Sequence, residues 1–117
     1  MLKSASVSLI NALKENCIEY KQSTEMGGYQ YFATYPNDFG VSIIKHFGSY
    51  GANYDLWEAA VMKGGSICYD TDITYDVVGF LSDEDAVKLI QAVQRLDENG
   101  KLSEDDPYLA GEEDEGV

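Results

Sequence analysis

The segment Tyr54-Asp55-Leu56-Trp57-Glu58-Ala59-Ala60-Val61-Met62-Lys63-Gly64-Gly65-Ser66-Ile67-Cys68-Tyr69 admits two readings. Leu56, Ala59 and Ala60 fit one face of a helix, whereas Leu56, Trp57 and Val61 also suit a strand. Lys63-Gly64-Gly65 weighs for the strand, because paired glycines supply the positive φ of a tight hairpin. The reading is a strand over 54–62, a turn, and a return through Ser66-Ile67-Cys68-Tyr69, with a helix over 54–62 as the alternative.

Upstream, the same logic gives more short strands. Tyr29 to Tyr35 is aromatic-rich, and Gly27-Gly28 before it and Pro36-Asn37-Asp38 after it are turn signals. Phe39 to Phe47 resumes as a strand containing Val41, Ile43 and Ile44, and Gly48 to Asn53 forms a Gly-rich loop. Residues 17–24 alternate loosely. Short strands joined by short turns predict an antiparallel meander of four to five strands.

A helix is predicted at each end of this sheet. From about Ser4 to Asn16, Val7, Ile10, Leu13 and Cys17 recur at helical spacing, with Leu9 and Ala12 widening the stripe. Ser4 or Ser6 suits the N-cap and Asn16 the stop. Toward the C-terminus, Ser82 stands before Asp83, Glu84 and Asp85, and the stripe Ala86, Leu89, Ile90, Val93, Leu96 runs to Asn99-Gly100. A Ser cap, acids in the first turn and a Gly stop predict a helix over 83–97. The expected architecture is α+β: an N-terminal helix, the meander, and a C-terminal helix packed on one sheet face. Residues 1–100 form the domain, and 101–117 read as an acidic, flexible tail whose apolar pair, Tyr108-Leu109, suits a short docking element.

The 117 residues leave room for one domain. At 44% apolar residues most of the chain can bury a core. No apolar run reaches the roughly 20 residues of a membrane helix. The start of the chain lacks the pattern of a secretory signal. Cys17 and Cys68 are too few and too far apart for a disulfide scaffold or a zinc site. The expectation is a cytoplasmic protein.

Charge is the extreme quantity, formally −13. Residues 1–53 carry Glu15, Glu19, Glu25 and Asp38 against Lys3, Lys14, Lys21 and Lys45, and so sum to zero. The whole imbalance lies in 54–117. Asp70, Asp72, Asp76, Asp83, Glu84 and Asp85 form one group without a base among them. Glu104, Asp105, Asp106, Glu112, Glu113, Asp114 and Glu115 form the other. Direct binding to nucleic acid or to anionic membranes is disfavoured by repulsion.

Catalysis finds no seat. Asp70, Asp72, Thr74 and Asp76 place oxygens at the first alternate positions of a calcium loop, but Tyr75 and Leu81 stand where an EF-hand needs Gly and Glu. Asp70-Thr71-Asp72-Ile73-Thr74 also resembles the first motif of haloacid-dehalogenase-like phosphatases, but the 43 residues after Thr74 read as one helix and a tail, too little for the remaining motifs. A solvated loop with Asp-capped turns is the simpler reading. His46 is the one histidine, and neither cysteine has a basic neighbour in sequence to activate it. No enzyme activity, cofactor or metal is expected.

Two surfaces could bind a partner. Tyr29, Tyr31 and Tyr35 share one strand face, which serves either as core under the helices or as a protein interface. The carboxylates offer another. Alternate strand residues lie about 6.6–6.8 Å apart, close to the spacing of adjacent phosphates, so Asp70 and Asp72 on an extended segment could imitate a polyanion. Asp83, Glu84 and Asp85 would continue the track.

Leu56 to Gly65, followed by Cys68 to Thr74 and Val78-Gly79-Phe80-Leu81, is similar to small accessory proteins of tailed bacteriophages and prophages. That resemblance implies a small phage protein acting in the bacterial host cytoplasm, in host takeover or anti-defence. The function expected is therefore a non-catalytic acidic inhibitor of a basic nucleic-acid-handling host protein or defence complex, of restriction or CRISPR type. The alternative is a structural or assembly accessory that self-associates, for example as a homodimer, or docks on a larger complex through a Tyr-rich sheet face. The residues expected to meet a partner are Asp70, Asp72, Asp76, Asp83, Glu84, Asp85, Tyr29 and Tyr31.

Overall fold

The computed structural model describes residues 2–25 and 27–110. Ser6 opens helix α1 (Val7–Lys14), its hydroxyl accepting the Leu9 N–H. Asn16, with φ of 62°, turns the chain out of it. Four strands then follow in antiparallel succession: β1 (Glu19–Ser23), β2 (Gly28–Thr34), β3 (Phe39–His46) and β4 (Trp57–Lys63). The ambiguous segment resolves in parts. Ala52–Tyr54 makes one short 3-10 turn, and the strand begins at Trp57.

The hairpin after β4 uses Gly64 and Gly65 at φ of 61° and 83°. Both central residues of such a turn need positive φ, which glycine adopts without steric cost. The return strand β5 is only Ser66–Ile67. The chain then leaves the sheet over 68–77 and comes back as β6 (Val78–Leu81), a strand that the sequence did not announce. β5 pairs with Met62 and Lys63 and β6 with Trp57 and Ala59. They occupy the same edge of β4, one strand interrupted by a loop.

Helix α2 (Asp83–Gln94) runs back beneath the sheet, opened by a capping box between Ser82 and Asp85. The alternation of each strand puts Tyr31, Ala33, Val41, Ile43, Trp57, Ala59 and Val61 on the face toward the helices. Leu9, Ala12 and Leu13 of α1 and Leu89, Ile90 and Val93 of α2 fill the space against them. The stripe on α1 is therefore rotated from the one expected. Val7 is exposed, because the residues that meet α2 and the sheet are Leu9, Ala12 and Leu13. The opposite sheet face carries Phe32, Ile44 and Met62, half-buried, with no described helix over it.

The expected tail boundary needs correction. Leu102 is buried in the core, Asp106 is buried against Arg95, and Pro107–Ala110 forms a short helix α3. A buried leucine and a charge-assisted pair tie residues 101–109 to the domain despite their acidic composition. The rest of the expected tail, 111–117 with Glu112, Glu113, Asp114 and Glu115, lies outside the described residues.

Candidate partner-binding surfaces

The first acidic residue of α2 is used inside the protein. Asp83 Oδ1 accepts the indole N–H of Trp57 at 2.7 Å and Oδ2 accepts the backbone N–H of Ser6 at 2.8 Å. Burial pushes its carboxyl up. The bonds from Trp57 and Ser6 and the charge of Lys45 outweigh that and hold it below the usual range. Asp85 accepts the Ser82 N–H to complete the cap. Glu84, between them, is exposed.

Lys45, one of the four bases of residues 1–53, is 1% exposed. Its Nζ donates to the Lys3 carbonyl oxygen at 3.0 Å and to Asp55 Oδ1 at 3.1 Å, and lies 4.1 Å from the centre of the Trp57 ring. The Lys3 N–H also donates to Asp55 Oδ1, at 2.7 Å. Burial raises the Asp55 carboxyl, but the bonds and charges of Lys3 and Lys45 prevail and lower it. Residues 3–6 are thereby strapped across one end of the core. Strand alternation carried the signal: Val41, Ile43 and Lys45 must share a face.

Asp70, Asp72 and Asp76 lie in the loop over 68–77, not on an extended strand, so the even phosphate-like spacing is absent. Asp72 is pinned. Its N–H donates to the Gly100 carbonyl, its Oδ2 accepts the Leu102 N–H at 2.9 Å, and Lys101 stands 3.7 Å from Oδ1. Thr71 is buried, and its hydroxyl accepts the N–H groups of Ile73 and Thr74. Asp76 accepts the N–H of Val77. Asp70 and Asp76 are exposed.

The six acids do not form one track. Asp83, Glu84 and Asp85 begin α2, whereas the loop over 68–77 is stitched to the turn beyond its end. Helix α2, twelve residues and about 18 Å of axial length counted from Asp83, runs between the acids of its first turn and the turn to which the loop is bonded. At the far end the loop acids gain company that the sequence did not assign to them. Asp70, Asp76, Asp97, Glu98, Glu104 and Asp105 are all exposed, and the bond from the Asp72 N–H to the Gly100 carbonyl brings Asp70 beside the turn of Asp97 and Glu98, where Lys101 and Lys63 also stand. Asp106 is not part of this surface: Arg95 bonds both its oxygens at 2.8 Å and lowers its carboxyl.

The tyrosine face is the core. Tyr31 is 5% exposed, its ring edge-on to Trp57 at 5.6 Å, and its hydroxyl accepts the Ala5 N–H. Tyr29 is half-buried against the same cluster. Tyr35 donates its O–H to the Leu13 carbonyl, and burial raises its hydroxyl. The exposed aromatics lie elsewhere. Phe47, Tyr50, Tyr54 and Phe80 are exposed, as are Tyr69 and Tyr75 of the loop over 68–77, and the rings of Tyr54 and Phe80 are 6.2 Å apart. Tyr50 lies on Gly79, where any Cβ would come within 2.6 Å of the tyrosine Cβ. Phe80 sits at φ of 60°, a conformation that costs an aromatic residue energy, while its ring remains 56% exposed.

Comparison with family models, curated proteins and solved structures finds no match. Among the described residues no helix is long and apolar enough to cross a membrane.

Proposed function

We propose that this protein is a non-catalytic acidic binding protein that occupies the basic groove of a nucleic-acid-handling host protein or defence complex and so inhibits it. The observation that carries the reading is the exposed set Asp70, Asp97 and Glu98, drawn together where the loop over 68–77 is bonded to the turn after α2, with Asp76, Glu104 and Asp105 exposed on the segments that lead away from it. The Asp72 bonds to Gly100 and Leu102 keep its two segments together. Carboxylates held in place lose little entropy when Lys and Arg of a partner close on them. Their field accelerates encounter and fades with salt. The bacterial setting comes from the phage resemblance, and the even phosphate-like track is replaced by an acidic pole.

The test is capture from bacterial lysate at about 0.05 M and about 0.5 M salt. The bait is the native chain or a variant carrying Asp70→Asn, Asp76→Asn and Asp105→Asn. The reading expects nucleic-acid-handling proteins at low salt, their release at high salt, and their loss with the variant at unchanged melting temperature. Salt-tolerant capture that the variant retains overturns it.

The exposed Phe47, Tyr50, Tyr54 and Phe80 favour a second reading, an assembly accessory docking through an apolar patch. Tyr29 and Tyr31 pass out of that reading, since their face is covered by the helices.

A further inference from the structure

Among the described residues strand β1 pairs with β2 alone, which leaves it as a free edge. The Tyr35 N–H bonds the Phe39 carbonyl, so the odd-numbered residues of β2 direct their backbone groups to β3 and the even-numbered ones to β1. Gln30, Phe32 and Thr34 stand opposite Ser23, Lys21 and Glu19. The N–H and C=O groups of Tyr20 and Gln22 therefore point away from the sheet, as a template for another strand.

We propose that β1 pairs antiparallel with β1 of a second copy of this chain, centred on Tyr20, so that two sheets join into one. In that register the outward backbone groups of the two Tyr20 residues bond each other. Glu19 of each copy faces Lys21 of the other, twice by symmetry. A register centred on Lys21 would set the two lysines against each other. A lone lysine on an edge strand deters pairing. Here Glu19, two residues away and already 3.5 Å from Lys21 within the chain, turns that deterrent into a choice of register. Ile18 lies just outside the strand with its N–H turned inward onto the Thr34 carbonyl at 2.7 Å, so the outward template is Tyr20 and Gln22.

Charge over the whole chain favours this edge. Residues 1–53, which include β1, sum to zero, and the −13 belongs to 54–117. Pairing through β1 brings the neutral halves together and leaves the acidic segments outermost. The opposite edge, β5 and β6, would set the two acidic loops over 68–77 against each other.

The test is sedimentation velocity over a concentration series, on the native chain and on two variants, Glu19→Lys and Lys21→Glu. The native chain is expected to pass from monomer to dimer. Each variant alone faces like charges and should dissociate roughly tenfold more readily or worse. Mixed in equal amounts, the two variants should recover the native association as a heterodimer, because every lysine then meets a glutamate. A native chain that stays monomeric throughout, variants that associate as the native chain does, or a mixture that fails to recover would each overturn the proposal. It does not rest on the acidic pole: a monomer that still captures basic proteins leaves the proposed function standing.

Discussion

The indole N–H of Trp57 and the Oδ1 of Asp83 are 2.7 Å apart, joining the start of β4 to the first residue of α2. The second oxygen of the same carboxylate holds the Ser6 N–H, so one side chain ties helix, sheet and N-terminal segment. Asp83→Ala leaves a fully buried indole donor without its acceptor, returns the exposed Ser6 N–H to water, and should cost about 2–3 kcal/mol. Asp83→Asn can still accept one bond and should cost about 1 kcal/mol. Urea unfolding followed by Trp57 fluorescence measures both. Loss of binding in an Asp83 variant therefore reports stability as well as contact.

Acid should unfold the protein through three carboxylates. Asp55, Asp83 and Asp106 are each lower in the folded chain than in the unfolded one. Their contribution is complete above the unfolded carboxyl value, near pH 4, and is lost as pH falls through the folded values. A thermal series from neutral to acid should fall steeply below about pH 4, and Asp106→Asn should flatten that fall. From neutral pH down to that point, relief of the −13 self-repulsion acts in the opposite sense.

Residues 101–109 should be required for stability. Asp106→Ala leaves Arg95 half-exposed and able to rehydrate, but also frees the Tyr108 N–H that Asp106 holds at 2.9 Å. A cost of about 2 kcal/mol is expected. Leu102→Ala removes a buried leucine and should cost about 2 kcal/mol or more. Ending the chain after Gly100 loses both and should lower the melting temperature further than either substitution.

Phe80→Gly should stabilise the fold by about 0.5–1 kcal/mol, since glycine adopts φ of 60° freely and the exposed ring contributes little burial. If the aromatic patch docks a partner, the same change should weaken that binding. A melt and a binding assay on one variant separate the two effects.

Much of this was legible in residue order. The Ser82 cap, the acids of the first turn and the apolar stripe marked α2, and Gly64-Gly65 marked the hairpin that settled β4. β6 escaped because Val78-Gly79-Phe80-Leu81 has too few residues to show alternation, and its partner on β4 lies some twenty positions earlier. The tail was misjudged on composition. Its acids outnumber its apolar residues, yet among its described residues Leu102 and Asp106 find buried places. The candidate acidic site suffered likewise: neighbours in sequence, Asp72 and Asp83, are spent on internal bonds, while Glu98 and Asp97, whose Oδ1 accepts the Asn99 and Lys101 N–H groups, come beside Asp70 through a fold-back.

By itself the sequence determined the α+β class, the helix and strand periods, and the concentration of charge in residues 54–117, since these depend on local order and on simple sums. Only the tertiary structure decided which charges remain available. Whether a carboxylate or an ammonium faces water depends on what distant segments bring against it: Lys3 and Asp55 to Lys45, Trp57 and Ser6 to Asp83, Arg95 to Asp106. Desolvation and hydrogen bonding act through space, and spacing along the chain does not record them.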